Sequence, residues 1–365
     1  MGNKILHIAP FNTAGVPITF VKAERNLGYE SRLVTLGIGR QDREEDIALN
    51  LRFLDSPFTR FAKQIFTPES RRKIGNRAKI PKTIPIKWYP SGLGEKTLIK
   101  LREKLWEKKI DQFFRSIDID HFDIIQLDGG LGFFRDGRVV QRLKSRKKKI
   151  ICCYTGSDLR TRGVIPQIDE LSDLNVTVEF DHLQYHPHIY HVPFPFNFTE
   201  FPYSPKSYEN LNKFIKIGHA PTNRLAKGSD QIIKIIQSLA IQFPIQLDLI
   251  ENMSYEMALK RKYECDLFVD QIGDLGYGMN GVESLAMGIP TLTSLAPGFE
   301  TIYPDHPFIV VDAKNFKSKL EHLLNNSQFI AEIGKRSIEW VKKHHDATEV
   351  VKRIHALLNG AEATK

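Results

Sequence analysis

Short apolar runs alternate with segments of helical periodicity over most of the chain. The apolar runs at residues 4–9 and 32–36 flank a segment at about 18–26 whose pattern predicts a helix. Strands that alternate with helices in this way are typical of a mostly parallel sheet. Further apolar runs predict strands at residues 123–127, 150–154, 176–180, 214–218, 245–250, 267–270, 290–295 and 308–311.

Helix signals are clearest in the second half of the chain. From Gly228 onwards, apolar residues recur every three or four positions, which predicts a helix with one buried face. Ser254 is well suited to cap the helix that follows the run at 245–250. The tail from about residue 328 to residue 358 is predicted to be helical, with Val350, Val351, Ile354 and Leu358 on one face.

Two segments interrupt this alternation. Residues 37–117 are rich in basic and aromatic side chains and end in an amphipathic pattern. Leu98, Leu101, Leu105, Phe113 and Ile117 recur there near helical spacing. Residues 192–206 contain four prolines and almost no periodicity. We interpret the first segment as an elaboration of an N-terminal domain and the second as a connection between domains.

The pattern therefore predicts an α/β protein with two Rossmann-like domains, at residues 1–200 and 207–340. Ligands of open parallel sheets bind beyond the carboxyl ends of the strands. The expected binding region is a cleft between the carboxyl ends of the two sheets.

The composition is that of a folded protein without a membrane span. With 365 residues, 41% apolar and 26% charged, the chain is not disordered, collagen-like or a coiled coil. No stretch approaches the roughly 20 consecutive apolar residues that cross a bilayer, and the first residues lack the pattern of a secretory leader. Three cysteines, two of them adjacent, do not form a disulfide framework. These features predict a cytoplasmic location.

The formal charge of +9 lies in the N-terminal part of the chain. Residues 1–200 hold 33 Lys and Arg against 24 Asp and Glu, whereas residues 201–365 hold 19 of each. Residues 51–150 alone hold 25 basic against 11 acidic residues, including the runs at 71–73 and 146–149. Such a surface attracts anionic lipid, an acidic substrate or nucleic acid, but it is also compatible with an ordinary solvated surface.

The most informative group of residues lies at 275–290, which reads LGYGMNGVESLAMGIP. Gly276 and Gly278 are predicted to form a turn between a strand and a helix, where glycines let backbone N–H groups approach an anion or a sugar. Glu283 is predicted about one turn into that helix, where a carboxylate can accept hydrogen bonds from a ribose diol. Close packing of the helix on the sheet is the alternative reason for the two glycines.

A second polar group, GHAPTNRLAKGSD at residues 218–230, directly precedes the buried helix. Arg224 and Lys227 at a helix N-terminus are predicted to form a cationic pocket suited to a diphosphate. A surface position without a ligand is the alternative for Arg224. Lys227, beside Gly228, is the stronger candidate.

These two groups make the chain similar to the retaining glycosyltransferases of the GT-B fold, specifically family 4. Members of that family carry a Lys-Gly pair that opens a helix of the C-terminal domain, matched here by Lys227 and Gly228. They also carry a Glu-Gly-Phe-Gly stretch with a second Glu after four further residues, matched by residues 275–278 and Glu283. The resemblance runs from the first strand to the last helix and is strongest over residues 213–346.

The resemblance implies a fold and a set of site residues. The fold is two Rossmann-like domains facing across a cleft, with a C-terminal helix in residues 341–365 that crosses back to the N-terminal domain. Lys227, helped by Arg224, is expected to grip the diphosphate of a nucleotide sugar, and Glu283 to hold the ribose. The complete set of implied donor-binding residues is Gly15, Arg224, Lys227, Gly228, Gly276, Tyr277, Gly278, Met279, Asn280 and Glu283. Such enzymes need no metal and no cofactor, since cationic side chains neutralise the departing diphosphate, and its oxygen takes the proton of the acceptor.

The chain also departs from the family pattern. Leu275 stands in place of the first glutamate, which contacts the donor sugar in the family, and Asp274 is the carboxylate beside it. Thr155 replaces the histidine of a His-Gly-Ser-Asp pattern. Asp128, at the end of a predicted strand, is the candidate catalytic carboxylate on the acceptor side, with a turn residue as the alternative.

Other polar or reactive residues are predicted to be structural. His7 lies within the first predicted strand, and the adjacent pair Cys152 and Cys153 within another, so all three are expected in the core or at its edge. The four histidines of a proline-flanked loop do not have the spacing of a metal site, and no metal is predicted there. They are His182, His186, His188 and His191.

The leading hypothesis is an enzyme that moves a sugar from a nucleotide diphosphate sugar to a lipid-linked or saccharide acceptor. Its basic domain is expected to bind anionic lipid at the cytoplasmic membrane face, as a peripheral protein. Because Leu275 replaces a family glutamate, a catalytically degenerate module that binds an anionic polymer or a membrane is the alternative. Nucleic acid is not an expected partner, since no nucleic-acid-binding motif accompanies the charge. A dinucleotide-dependent dehydrogenase is disfavoured, because no Gly-x-Gly-x-x-Gly follows the first strand.

Overall fold

The protein forms two compact units, each built around its own sheet. The first unit contains the described residues up to 195 together with 347–360, and the second contains residues 196–346. The basic run at 71–73 and Asp274 lie outside the described residues. The structure, a computed structural model, describes residues 4–39, 43–56, 59, 83–206, 214–273 and 275–360.

Seven parallel strands form the sheet of the first unit. They are β1 (Lys4–Ala9), β2 (Glu30–Thr35), β3 (Ile47–Ala48), β4 (Ile124–Asp128), β5 (Lys149–Tyr154), β6 (Leu174–Thr177) and β7 (Tyr190–His191). Their order across the sheet is β3-β2-β1-β4-β5-β6-β7. The order changes direction between β1 and β4, so the carboxyl ends of these two strands flank the topological switch point of the sheet.

Helices cover this sheet and bury its strands. All five residues of β4 are buried, and so are all residues of β1 after Lys4. Because both faces of such a sheet are covered, its strands consist of nearly continuous apolar runs, which is why the sequence locates them. The helices of this part are α1 (Val16–Asn26), α2 (Leu93–Ser116), α3 (Arg138–Ser145) and α4 (Pro166–Asp169).

Helix α2 does not bury the leucines whose spacing predicts it. Leu101 and Leu105 are 58% and 60% exposed, and Leu98 is also exposed. The buried stripe of the helix contains Trp106, Ile110 and the predicted Phe113, which belong to the main core of the unit. Larger side chains on the adjacent stripe thus take the core positions and leave the leucines outside.

Five parallel strands form the sheet of the second unit. They are β8 (Ile215–His219), β9 (Ile245–Leu249), β10 (Leu267–Gln271), β11 (Thr291–Thr293) and β12 (Ile309–Val310), in the order β12-β11-β10-β8-β9. The helices are α5 (Arg224–Lys227), α6 (Ser229–Leu239), α7 (Tyr255–Tyr263), α8 (Met279–Ala286), α9 (Phe299–Ile302), α10 (Phe316–Leu324) and α11 (Ser327–His345). The predicted cap of α7 is confirmed, because the Ser254 hydroxyl accepts a hydrogen bond from the backbone N–H of Met257 at 3.3 Å.

The prediction of a helical tail is confirmed, and the tail consists of two helices. Asp346 follows α11 with φ −53° and ψ 120°, which is not helical, and α12 (Ala347–Leu358) then begins. The carbonyl of His345 accepts a hydrogen bond from the N–H of Phe196 at 2.7 Å, so a neighbouring segment satisfies the end of α11. Helix α12 belongs to the first unit and packs against α1.

None of the described helices combines the length and the apolar character that crossing a bilayer requires.

Candidate functional site

In the second unit, most of the predicted site residues lie at one edge of the sheet. The strand order changes direction between β8 and β10, whose last residues are His219 and Gln271. Lys227 and Gly228 follow β8, and residues 276–280 follow β10. The fold therefore brings the two sequence groups together at the topological switch point, where ligands of such sheets bind.

A buried carboxylate joins the two groups directly. The ammonium of Lys227 forms an ion pair with Asp270, whose side chain is fully buried, while that of Lys227 is 14% exposed. The other oxygen of Asp270 accepts a hydrogen bond from the backbone N–H of Gly278 at 2.9 Å. The sequence reasoning missed Asp270, although an acidic residue near the end of the apolar run LFVD was a usable signal.

Gly228 fixes the position of the Lys227 loop. Its φ of +72° is left-handed, and a Cβ at this position would lie 2.6 Å from Cγ1 of Ile272. The carbonyl of Lys227 accepts a hydrogen bond from the N–H of Ile272 at 3.1 Å. Glycine is therefore required here, because it allows the loop to approach the segment after β10 closely.

Arg224 lies in the same loop at a half-exposed position. Its Nε donates to Oε1 of Glu251 at 2.8 Å, and the two side chains form an ion pair. This pairing raises the pKa of Arg224 and lowers that of Glu251. The ion pair thus holds the guanidinium of Arg224 in a defined position near the carboxyl ends of the strands.

Glu283 belongs to a closed polar network inside the second unit. Its carboxylate is buried and forms an ion pair with Lys262, which is also buried. Lys262 donates to Oδ1 of Asn280 at 2.9 Å, and the amide of Asn280 donates to the carbonyl of Ala220 at 3.0 Å. A ribose hydroxyl that reaches Glu283 has to share this carboxylate with Lys262, a residue that the sequence reasoning did not single out.

The turn after β10 is anchored by the side chain of Tyr277. This side chain is 4% exposed and packs against an aromatic cluster of Phe299, Phe308 and Trp340. Its hydroxyl lies 3.3 Å from Nε2 of His345. Tyr277 therefore holds the turn in place, and a ligand beyond the turn contacts its backbone and not its ring.

The last residue of β10 and the first residue of α8 border the turn on either side. Gln271 donates from its amide to the carbonyls of Leu275 and Gly276, which fixes the first half of the turn. Met279, the first residue of α8, is partly exposed. Three side chains thus fix the turn: Gln271 and Asp270 through hydrogen bonds to its backbone, and Tyr277 through the packing of its ring.

His219 is a buried neutral anchor of the same edge. Its Nδ1 lies 2.8 Å from the carbonyl of Val269, and its Nε2 lies 2.8 Å from the hydroxyl of Ser229. Burial lowers the pKa of His219 to about 4. The ring therefore joins β8, β10 and the start of α6 without adding a charge.

The two remaining predicted site residues, Gly15 and Asp128, lie in the first unit. Gly15 precedes α1 with a φ of +72°, and a Cβ there would overlap the guanidinium of Arg43. Asp128 is the last residue of β4 and is 2% exposed. Gly15 thus has a geometric reason to be glycine, and Asp128 lies in the core.

Asp128 is part of a buried network centred on His7. The two ring nitrogens of His7 lie 3.0 Å from carboxylate oxygens of Asp128 and Glu24, and Gln126 donates to the other oxygen of Asp128 at 2.9 Å. Burial lowers the pKa of His7, but the two carboxylates more than offset it and raise the pKa to about 10. The position of Asp128 favours a role in holding β1 and β4 together over direct contact with a substrate.

Two histidines of the histidine-rich loop contact neighbouring polar side chains, and the cysteines are buried. His182 lies 2.7 Å from the Thr177 hydroxyl, and His186 lies 3.0 Å from a carboxylate oxygen of Asp169. The prediction that Cys152 and Cys153 lie in the core is confirmed. Among the residues that the structure describes, no group of three or more potential ligands is arranged for a metal ion.

The first unit also contains a cavity of about 470 Å³. Residues that directly follow β1, β4 and β5 line one side, and α2 with the segment before it lines the other. Its walls carry three arginines and several aromatic side chains. Trp88 and Tyr89 belong to the basic and aromatic segment noted in the sequence, but none of the three arginines was predicted as a site residue. The lining includes Phe11, Trp88, Trp106 and the arginines Arg102, Arg135 and Arg162.

Solved structures share this architecture along its whole length. An alpha-glucosyltransferase in complex with UDP-glucose and DNA matches with a TM-score of 0.60 and 12% identity, over 98% of this chain and 99% of that chain. Sucrose-phosphate synthase from Thermosynechococcus elongatus matches with a TM-score of 0.59 and 12% identity, over 98% of both chains. An Anabaena protein, HepE in complex with UDP, matches with a TM-score of 0.54 and 11% identity, over 98% of this chain and 100% of that chain.

These similarities show the fold. The chain is an α/β protein of the GT-B type, with two parallel sheets, as its sequence predicts. No protein-family model matches the sequence, and a comparison with curated proteins finds no match. The DNA in the first complex is a partner of that protein.

Proposed function

We propose that this protein is a glycosyltransferase that moves a sugar from a nucleotide diphosphate sugar to a lipid-linked or saccharide acceptor. The observation that carries the proposal is the position of Lys227. This cation lies at the switch point of the second sheet, in a loop that Gly228 fixes, beside the turn of residues 276–280. The fold, and the UDP and UDP-glucose in the complexes of two proteins that share it, support the same reaction class.

The proposed chemistry proceeds with retention of configuration, as in the family 4 enzymes that the sequence resembles. The bond between the anomeric carbon and the diphosphate oxygen breaks, and the acceptor oxygen forms its bond to the same face of the sugar. The departing phosphate oxygen takes the proton of the acceptor hydroxyl. Lys227, with Arg224 at the rim, stabilises the negative charge that develops on the diphosphate, so that no metal is needed.

The ion pair between Lys227 and Asp270 would position the ammonium for this step. Asp270 holds the ammonium before the donor arrives, so little side-chain freedom is lost when a diphosphate becomes its second anionic partner. Glu283 would contact the ribose, and the backbone of Gly276, Gly278 and Asn280 would face the sugar. Leu275 in place of a glutamate removes one polar contact to the sugar, which the turn amides would replace.

Helix α2 supports a location at a membrane surface. Its exposed Leu101 and Leu105 lie beside exposed lysines at positions 100, 104 and 108. Apolar side chains flanked by lysines on one helix surface are typical of segments that lie on anionic lipid. Each lysine near such a surface contributes about 1 kcal/mol. We propose that the enzyme works at the cytoplasmic membrane face and takes its acceptor there.

Nucleotide binding tests the donor site. Calorimetry with UDP and GDP should detect binding of one of them, and the Lys227→Met variant should bind it at least tenfold more weakly, because a charge-assisted contact is lost. Lys317→Met, an exposed lysine of α10, is the matched control and should bind as the unchanged protein does. Release of nucleotide from a panel of nucleotide sugars should fall in parallel. Absence of binding for every nucleoside diphosphate would contradict the proposal, and binding without turnover would favour the degenerate module.

Sedimentation with liposomes tests the membrane part separately. Vesicles with anionic lipid should bind the protein at low salt, and the double change Leu101→Gln and Leu105→Gln should reduce binding. Ile241→Gln, at an 86% exposed position of the second unit, is the control. Retention of DNA in place of vesicles would identify nucleic acid as the partner of the basic surface.

A further inference from the structure

The cavity of the first unit lies where a ligand of its sheet is expected. Pro10 and Phe11 follow β1, and Leu131 and Phe133 follow β4, so the cavity opens beyond the strands that flank the switch point. Its volume of about 470 Å³ is in the range of small-molecule sites, roughly 300–1,000 Å³. The cavity is therefore large enough for a sugar with an attached charged group.

Two of the arginines are held in place by tryptophan rings. The guanidinium carbon of Arg102 lies 4.6 Å from the ring centre of Trp106, and that of Arg135 lies 4.5 Å from the ring centre of Trp88. Trp106 is itself fixed, because its Nε1 donates to the carbonyl of Arg52 at 2.7 Å. Stacking leaves the N–H groups in the guanidinium plane directed away from the rings, where they can meet an anion in a bidentate geometry.

These guanidiniums have unsatisfied donors. Nε of Arg102 and Nε of Arg135 are buried, and neither has a hydrogen-bond partner among the described residues. A buried donor without a partner costs on the order of 1–3 kcal/mol, which a bound acceptor group would recover. Arg162, also in the cavity wall, donates from Nε to the carbonyl of Gly163 at 3.0 Å and is thereby held in position.

The arginines also act on one another. Burial, together with the positive charges of Arg102 and Arg162, lowers the pKa of Arg135 to about 9. Burial likewise lowers the pKa of Arg102. An anion beside these guanidiniums would relieve the repulsion that Arg102 and Arg162 exert on Arg135.

The carboxylates of the cavity are already occupied by backbone donors. Glu95 accepts from the N–H of Ser91 at 2.6 Å, and Glu103 accepts from the N–H of Arg135 at 3.0 Å. Asp158 accepts from three backbone N–H groups of its own loop, at 2.7–2.9 Å. They balance the formal charge of the cavity, yet none of them satisfies Nε of Arg102 or Arg135.

We infer that this cavity binds the acceptor, and that the acceptor is a sugar that carries an anionic group, a phosphate or a carboxylate. The inference rests on the proposed glycosyl transfer. Arg102 and Arg135 would bind the anionic group, and the partly exposed aromatic side chains of Phe11 and Trp88 would pack against the sugar ring. A neutral sugar would leave the two guanidiniums unsatisfied and would bind more weakly.

Tryptophan fluorescence provides a direct test on the full-length protein. Two of the three tryptophans, Trp88 and Trp106, line the cavity, and the third, Trp340, lies in the core of the second unit. Titration uses four probes: glucose 1-phosphate, glucuronate, glucose and inorganic phosphate. The phosphate sugar or the carboxylate sugar should bind at least tenfold more tightly than glucose and than inorganic phosphate, and the better of the two identifies the anionic group.

Variants locate the binding. Arg135→Met and Arg102→Met should each weaken the anionic sugar at least tenfold and leave the response to glucose unchanged. Arg138→Met is the matched control, because Arg138 also stacks on an aromatic ring, at 3.7 Å from Phe134, but lies outside the cavity lining. If one cavity variant fails to fold, the other decides. Equal binding of glucose and its anionic relatives would overturn the inference, as would an anionic sugar whose affinity neither variant changes.

A parallel UDP and GDP titration separates this inference from the proposed function. If a nucleotide binds and no anionic sugar does, the acceptor inference fails while the glycosyltransferase proposal stands. If an anionic sugar binds and no nucleotide does, the donor site fails and the cavity is a site of a different protein class.

Discussion

The two units pair their charges differently at the switch points of their sheets. In the second unit, Lys227 pairs with Asp270, and Lys262 with Glu283. In the cavity of the first unit, Arg102 and Arg135 stack on tryptophans, and their buried Nε atoms have no hydrogen-bond partner among the described residues. We call the edge of the second unit closed, because its buried charges are paired with each other. We call that of the first unit open, because buried Nε donors of its arginines lack a partner among the described residues.

This difference indicates how each edge would meet an anion. In a closed pair each charge already has a partner, so a diphosphate has to join or replace an existing carboxylate, and removal of one partner leaves the other charge buried and unpaired. An open guanidinium costs stability until an acceptor group arrives. We therefore expect charge removal to destabilise the second unit strongly and the cavity of the first unit hardly at all.

Removal of the Lys262 charge should have the largest effect. In Lys262→Met, the buried carboxylate of Glu283 loses its cation, and loss of one partner of a buried pair costs about 3–5 kcal/mol. Urea unfolding measures this loss of stability. The double variant Lys262→Met with Glu283→Gln should recover much of it, because the uncompensated charge is gone. A loss below about 1 kcal/mol in the single variant would show that the network is not closed.

The buried network of His7, Glu24 and Asp128 in the first unit provides a comparison that responds to pH. The pKa of His7 rises from its ordinary 6.5 to about 10 in the folded protein. A raised folded-state pKa means that the stabilisation is complete below about pH 6.5 and is lost as the pH rises to about 10. The free energy of unfolding should fall by about 3–5 kcal/mol over this window.

The His7→Gln variant is the control for that pH dependence. Glutamine removes the titrating ring and keeps a polar side chain between Glu24 and Asp128. The variant should be less stable near neutral pH and should lose most of the decrease between pH 6.5 and 10. An unchanged slope would mean that other groups cause it and that His7 is neutral in the folded protein.

The sequence predicts strands and loops well because buried parallel strands are apolar throughout. The runs that contain β1, β4 and β10 are visible without any structure, and the carboxyl ends of strands indicate where Lys227 and the turn at 276–280 belong. The break at Asp346 could not be predicted, because apolar spacing continues across it. It depends on a contact with Phe196, which is distant in the sequence.

Pairing and burial of polar side chains were harder to predict. Asp128 and Tyr277 have residue types that suit a ligand, but tertiary contacts with His7 and with the aromatic cluster bury both of them. The three cavity arginines, Arg102, Arg135 and Arg162, are scattered in sequence among many other basic residues. Only the packing of α2 near the ends of β4 and β5 brings them together.

The smallest expected effect is on the stability of the Arg135→Met variant, which should change by less than about 1 kcal/mol. Stacking on Trp88 contributes about 0.5–1 kcal/mol, and its loss is offset by relief of the repulsion from Arg102 and Arg162. Methionine keeps most of the packing volume. Arg160→Met is the matched control in the same unit, because Arg160 is buried and paired with Glu179 and Asp181. That variant should lose about 3–5 kcal/mol in the same urea experiment. Similar losses in both variants would make Arg135 a structural residue and remove the contrast between the two edges.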